Sequence, residues 1–461
     1  MTEPAPTDRW LAAAIVAANF GPPFLFSGVA VALPAMGRDL AASATELGLV
    51  ETTFLCSSLA LLLPVGRLAD ASDKRTWFLF GLVAFAILSL AIAASSSMGL
   101  ILLLRTLQGA ASATYTATGF AVLADVVGKE RRGRAFGAAI GVTYAGLSFG
   151  PLVAGVLVGQ FGWRSVFVFG AALILCSSVV VFARLPRQWR APARVVHGPS
   201  VALLAAAVAA AAFGSAVVHR GVLGASVLAM AVVFAVSFVF VQLRTKRPLL
   251  DLRALAANAS LRAALLVQIV LYCTAFCSTF LLSLWLQAVR HVTPDTAGLV
   301  IASGSLLMAI VAPAAGRLFE RFGAQRVTLL GVLFVLLATL LARTLDVGSE
   351  ANWAGVVLGL QALGFGLFST PNMARIMASL PERQSTMASA LAAMARSIGM
   401  VSGMLLTNGA IALACGDGDA AAHPMEFVAA MRRVYTVLSA TAVVALLLAA
   451  SEVSPRRQRS S

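Results

Sequence analysis

Ionisable side chains are scarce in this chain, so the few that fall inside apolar stretches are where chemistry is to be sought. The 461 residues include 19 Asp and Glu and four His. Nearly all of these, including His197, His219, His291 and His423, fall between apolar runs or at their ends. Glu51 lies inside one run, and Asp125 lies at the end of another. A carboxyl held in low dielectric can take up and release a proton near neutral pH. Proton exchange is the chemistry this placement suits, with Glu51 the first candidate and Asp125 the second. Arg105 and Arg396 are the two bases inside apolar runs. An arginine in such a place is expensive to keep and marks a functional position by default. Arg105 is a candidate for contacting a bound molecule or for tuning a nearby carboxyl.

Other chemistries find little support. No Gly-rich phosphate loop followed by Lys-Ser/Thr is present, which argues against ATP drive. No His, Cys, Asp or Glu cluster has the spacing of a metal site. Of the five cysteines, Cys56, Cys176, Cys273, Cys277 and Cys415, four lie in apolar runs and read as packing residues rather than a disulfide framework. Neither an enzyme nor a resident cofactor is expected.

The elements that position these residues follow from composition. Sixty per cent of the chain is hydrophobic, 11% is charged and mean hydropathy is +0.91. A soluble domain is about half apolar and a quarter charged. The surplus must face lipid. A crossing helix needs roughly 20 mostly apolar residues. Fourteen stretches qualify: 10–34, 46–68, 77–95, 99–124, 134–158, 164–183, 200–218, 222–242, 262–286, 297–317, 326–344, 352–374, 387–411 and 430–450. An even count puts both termini on one side. Placing the N-terminus inside puts 25 Lys and Arg in inner loops and 7 in outer ones. The positive-inside rule therefore predicts cytoplasmic termini in the cell membrane. The net charge of +15 belongs to these loops rather than to nucleic-acid binding.

One feature repeats. Gly66-Arg67-Leu68-Ala69-Asp70 follows the second stretch and precedes Lys74 and Arg75. Gly316-Arg317-Leu318-Phe319-Glu320 follows the tenth and precedes Arg321 and Arg326. Two copies at equivalent inner loops point to duplicated halves around a central site, the plan of secondary transporters. The basic, Pro-containing stretch 184–199 reads as the linker between them, and 412–429 as an outer loop.

Through these motifs and those that follow, the chain resembles the major facilitator superfamily, and within it the fourteen-span drug:proton antiporter type. Residues 66–75 are similar to its signature loop, with Asp73 where the family usually has Gly. Arg105-Thr106-Leu107-Gln108-Gly109 is similar to its second motif. Gly146, Gly150, Pro151 and Gly155 resemble the motif that marks antiporters. Val29-Ala30-Val31-Ala32-Leu33-Pro34 matches a first-span run, but Leu25 stands where many relatives carry an acid. Trp163-Arg164, Pro248-Leu249-Leu250-Asp251-Leu252, Gly399 and Gly403 extend the resemblance over nearly the whole chain.

The resemblance implies an all-α membrane fold of two six-helix bundles, 1–183 and 244–461, joined by a basic linker and two inserted helices, 184–243. It implies proton-coupled export of small amphipathic organic compounds, driven by the proton gradient, by a monomer. Gly66, Asp70, Lys74, Arg75, Gly316, Glu320, Arg321 and Arg326 would form a conformational latch, its bases bridging to acids of the opposite half. Asn19, Arg105, Gln108, Tyr115, Gln268, Tyr272, Phe276, Trp285, Gln361, Asn372, Arg396 and Asn408 are candidate cavity residues. Asn19 with Gly21-Pro22-Pro23 marks a candidate interruption of the first span. One acid against two arginines predicts a neutral, zwitterionic or anionic substrate. Competing readings are a dedicated metabolite or siderophore exporter or importer, a lipid flippase, and a non-transporting sensor or scaffold.

Overall fold

The computed structural model describes residues 9–70, 73–127, 132–184, 197–245, 255, 258–380, 385–416 and 422–451, apart from some side chains within helices. Among them every regular element is a helix. α1 (Arg9–Ala18) and α2 (Gly21–Leu40) precede α3 (Ala44–Asp70), α4 (Lys74–Ala94) and α5 (Met98–Val126). α6 (Arg132–Phe161) and α7 (Arg164–Arg184) follow, then a hairpin of α8 (Gly198–Ala216) and α9 (Val222–Arg244). Next come α10 (Ala259–Leu284), α11 (Pro294–Phe322) and α12 (Ala324–Ala342). α13 (Asn352–Ala378), α14 (Ser385–Cys415) and α15 (Pro424–Ser451) complete the described chain. Apolar runs of this length become helices because a helix satisfies its backbone N–H and C=O groups within a single lipid-crossing segment.

Among the described residues, twelve stretches are long and apolar enough to cross a membrane, against the fourteen expected. α1 and α2 contribute one of them, Ala13–Leu40, which bends at the break between Ala18 and Gly21 where an interruption was expected. α5 and α11 are outside the twelve. α5 carries Arg105, Gln108, Ser112, Thr114, Tyr115 and Thr118, which lower its apolar character. Large apolar side chains such as Phe80, Ile87, Leu103, Val179, Val236 and Leu447 are exposed around the bundle, as lipid-facing surface should be. The chain is a multi-pass membrane protein.

Local signals set the helix ends. Ser43 and Glu46 form a reciprocal cap on α3: Ser43 N–H donates to Glu46 Oε2 (2.8 Å) and Glu46 N–H donates to Ser43 Oγ (3.2 Å). Asp73 caps α4, accepting from Arg75 N–H (3.1 Å) and the Thr76 hydroxyl (2.7 Å). That is a local reason for an acid at a position where Gly is usual. Asn258 caps α10 and also donates to Ser379 O at the end of α13 (2.7 Å).

α2–α7 pack mainly on one another, and so do α10–α15. Two principal seams join the groups, α6 against α11 and α3 against α14. α8 lies along the second seam and touches both α3 and α14, while α9 packs on α8. The bundle has an Asp39 end, with Ser43, Gly162 and Thr293, and a Lys74 end, with Arg184, Gly323 and Ser379.

Candidate functional site

A cavity of about 140 Å³ lies between the two groups of helices. Phe26, Ser27 and Ala30 of α2, Glu51 of α3, and Leu147, Ser148 and Pro151 of α6 form one side. Tyr272, Ala275, Phe276, Thr279 and Phe280 of α10 face them, with Ile301, Gly304 and Met308 of α11. Leu358, Gln361, Ala362 and Phe365 of α13 and Met404 of α14 close the wall. Among these residues Glu51 is the one charged side chain. The remainder is apolar with a few hydroxyl and amide groups, the usual make-up of a small-molecule site.

Behind Glu51 lies a buried polar chain. Arg105 is 0% exposed and Glu51 3%. Arg105 Nη2 donates to Glu51 Oε2 (3.3 Å), Nε donates to Val50 O (3.0 Å) and Nη1 donates to Gln108 Oε1 (2.7 Å). Gln108 Nε2 donates to Ser89 Oγ (2.7 Å), whose hydroxyl donates to Phe85 O (2.8 Å). The guanidinium carbon sits 4.5 Å from the Phe54 ring centroid. The guanidinium is thus held on three sides besides the carboxylate. Glu51 Oε1 is buried without a hydrogen-bond partner.

The sequence explains why α5 reaches α3 so closely. A Cβ on Gly109 would collide with Phe54 O and crowd Ser57. Only glycine lets the two backbones approach far enough for Arg105 to touch Val50 O. Arg105, Gln108 and Gly109 of one motif therefore act as a unit.

The antiporter-like motif splits into two roles. Gly146 and Gly150 lie against the α2 backbone near Phe20 and Phe24. Gly155 meets Pro294, Asp295 and Gly298 of α11, and Gly298 in turn meets Pro151 O, so this part of α6 lies on the seam. Pro151 also lines the cavity.

Of the expected cavity residues, Tyr272, Phe276 and Gln361 line the wall, and Glu51 joins them. Arg105 and Gln108 stand behind Glu51 instead. Asn372 Nδ2 donates to Gln268 Oε1 (3.1 Å) and Ala264 O (3.1 Å), and Gln268 Nε2 donates to Ala392 O (2.6 Å), so both tie helices together. Asn19 Nδ2 donates to Ile15 O (2.8 Å) within the α1–α2 bend. Tyr115 packs edge-on to Phe85, Trp285 is fully buried, Asn408 packs against Gly48, and Arg396 is partly buried on α14; none of these four lines the cavity. Sequence reasoning passed over Ser27, Ser148, Thr279, Phe280, Met308 and Phe365. Ser148 and Pro151 carried a usable signal, since they sit inside a motif already singled out.

The latch expectation fares differently. Arg75 Nη2 donates to Phe182 O (2.9 Å) on α7, within its own half. Gly66 faces Ala117, also in its own half. Lys74 begins α4, Arg321 lies against the Phe322 ring, and Arg326 is exposed. The side chains of Arg67, Asp70, Asp125, Arg317 and Glu320, and the surroundings of Gly316, lie outside the described residues, as do 185–196, 246–254 and 417–421.

The profile of the Major Facilitator Superfamily matches residues 15–404 and 264–460. The chain is 27% identical over 389 residues to the multidrug resistance protein Stp of Mycobacterium tuberculosis, covering 83% of this chain and 72% of that protein. It is 26% identical over 381 residues to the tetracenomycin C resistance and export protein of Streptomyces glaucescens (80% and 70% covered). It is 21% identical over 422 residues to the riboflavin transporter RibZ of Clostridioides difficile (91% of each). Among solved structures, the POT family transporter PepTSo superposes with a TM-score of 0.71 at 16% identity, over 97% of this chain and 99% of that one.

Proposed function

This chain belongs to the Major Facilitator Superfamily, and on that premise we propose that it is a proton-coupled exporter of small amphipathic organic compounds. It is a transporter rather than an enzyme. The observation that carries the coupling is Glu51, which faces the cavity with one oxygen on buried Arg105 and the other unpartnered. With Glu51 ionised, the pair is neutral overall. With Glu51 protonated, Arg105 keeps Val50 O, Gln108 and the Phe54 ring, and the cavity wall loses its negative charge. Proton and substrate then act on one group, and each favours the state the other leaves. Two bundles rocking about a midplane site would convert this into alternating access.

Substrate charge needs revising from the sequence expectation. That expectation counted Arg105 and Arg396 as cavity groups. Neither lines the wall, and a bound anion would meet Glu51 first. We therefore favour a neutral compound or one bearing a positive group, with an apolar body suited to Phe26, Phe276, Phe280 and Phe365. Export is favoured by two relatives named for resistance or export, while the relative named as a riboflavin transporter supports a dedicated-metabolite variant of the same reading.

The same proposal includes α5 and α11 as membrane-crossing helices, giving the fourteen-span antiporter type. It places the Lys74 end and both termini in the cytoplasm of a cell-membrane monomer, with bundles 1–183 and 244–461 and the inserted segment 184–243. The cross-seam contacts of Gly155 and Thr45 lie near the Asp39 end, which supports reading this state as closed on the outer side. Purified protein in liposomes tests the proposal. Neutral and cationic amphipaths should move only when a pH gradient is imposed. Movement indifferent to the gradient would contradict coupling.

A further inference from the structure

The roof of the cavity toward the Asp39 end contains a backbone carbonyl that its own helix cannot satisfy. Pro34 lies inside α2. A proline has no N–H, so the carbonyl four residues earlier loses its helical donor. That carbonyl belongs to Ala30, which lines the cavity. The missing donor comes from the other half of the molecule: the Ser283 hydroxyl of α10 donates to Ala30 O at 2.7 Å. One turn on, Gln287 Nε2 donates to Val31 O (3.2 Å) and to Ser283 Oγ (3.2 Å). Ala30, Val31, Ser283 and Gln287 are all buried. Gln287 sits in a π-helical turn, Trp285–Val289, a form of helix distortion frequent at functional sites.

We infer that Ser283, supported by Gln287, is a positioning residue of the transport cycle that holds the outer side closed by supplying the hydrogen bond Pro34 withholds from Ala30. Opening the outer side separates α2 from α10. It strips Ala30 O of its donor at a residue that lines the cavity, and water or a substrate donor must replace it. Closure is thereby favoured by a bond that exists only in the closed state. The inference rests on the two-state reading proposed above, but its test uses neither a substrate nor a gradient.

The test is deuterium exchange on the full chain in lipid. Segments 29–40 and 281–292 report the outer side, and segments 259–266 and 372–380 the inner side. Ser283→Ala should raise uptake at the first pair and lower it at the second. The expected change in the ratio of states is roughly three- to tenfold, the scale of one buried hydrogen bond. Ser283→Thr, which keeps a hydroxyl, should restore the parent pattern. Pro34→Ala returns an N–H to Ala30 O within α2. It should shift exchange the same way as Ser283→Ala, and the double variant should go no further than either. Gln287→Leu serves where Ser283→Ala fails to assemble, and should give the same opposed changes more weakly. Uptake that rises everywhere would show a loss of packing and overturn the inference. So would an unchanged pattern, or effects of Pro34→Ala and Ser283→Ala that add. In the parent, the absence of any opposed change between acidic and alkaline pH would count against the proton-coupled reading instead.

Discussion

Between α3 and α5 a buried polar network is centred on an ion pair, whereas among α10, α13 and α14 one is built of amides. In the first region Glu51, Arg105 and Gln108 form a chain that ends on Ser89. In the second, Asn372 and Gln268 bond to each other and to the carbonyls of Ala264 and Ala392. Both networks fasten helices together. Only the first contains a group that can change charge, and only the first reaches the cavity through that group. The amide region instead stands beside the aromatic wall of Tyr272 and Phe365. The two halves are built differently: the N-terminal half carries the buried ion pair, and the C-terminal half supplies a neutral frame and most of the apolar cavity wall.

Substitutions in the two networks should therefore fail in different ways. The largest effect is expected for Arg105→Ala, which leaves a buried carboxylate without its counter-ion. Breaking a buried pair costs about 3–5 kcal/mol, to be read from thermal unfolding in detergent. The loss should shrink in acid, where protonation of the carboxylate removes the uncompensated charge. Asn372→Leu should cost less, about 1–3 kcal/mol for the amide oxygen it strands on Gln268. It should leave the pH profile of transport where it was, and a displaced profile would break the comparison. Ser89→Ala removes the last side chain of the ionic chain, the acceptor of Gln108 Nε2. It should cost about 1 kcal/mol and disturb the pH profile through Gln108 and Arg105, an effect Asn372→Leu lacks. The smallest change belongs to Gln361→Leu on the α13 wall, whose Oε1 is buried without a partner. Apparent substrate affinity should move by roughly fivefold or less, with proton coupling intact in a gradient-driven flux assay.

The ionic network was legible in the sequence because charge inside an apolar run is costly and therefore rare. Glu51 and Arg105 stood out by elimination, and the glycine that brings their helices together lies four residues after the arginine. The α1–α2 break was legible from Gly21-Pro22-Pro23. The cavity wall was not. In a lipid-embedded bundle nearly every face of a helix is apolar, so the polarity contrast that marks the buried side of a soluble helix is lost. Phe280, Met308 and Phe365 look in sequence like any lipid-facing residue. Asn372 and Gln268 look like site residues, yet they serve packing. The number of crossings blurred for a related reason, since the helix bearing Arg105 and Gln108 is less apolar than its neighbours. Arg75 reads in sequence as a bridge between halves, and here its guanidinium donates to the carbonyl of Phe182 beside it.

The most direct test of the central claim is proton movement in inverted membrane vesicles exposed to neutral and cationic amphipaths, comparing the parent with Glu51→Gln. The account predicts that substrate collapses the pH gradient in the parent and does not in the variant, while the variant still binds substrate. A collapse that survives in Glu51→Gln would contradict it and move the proton site away from the ion pair.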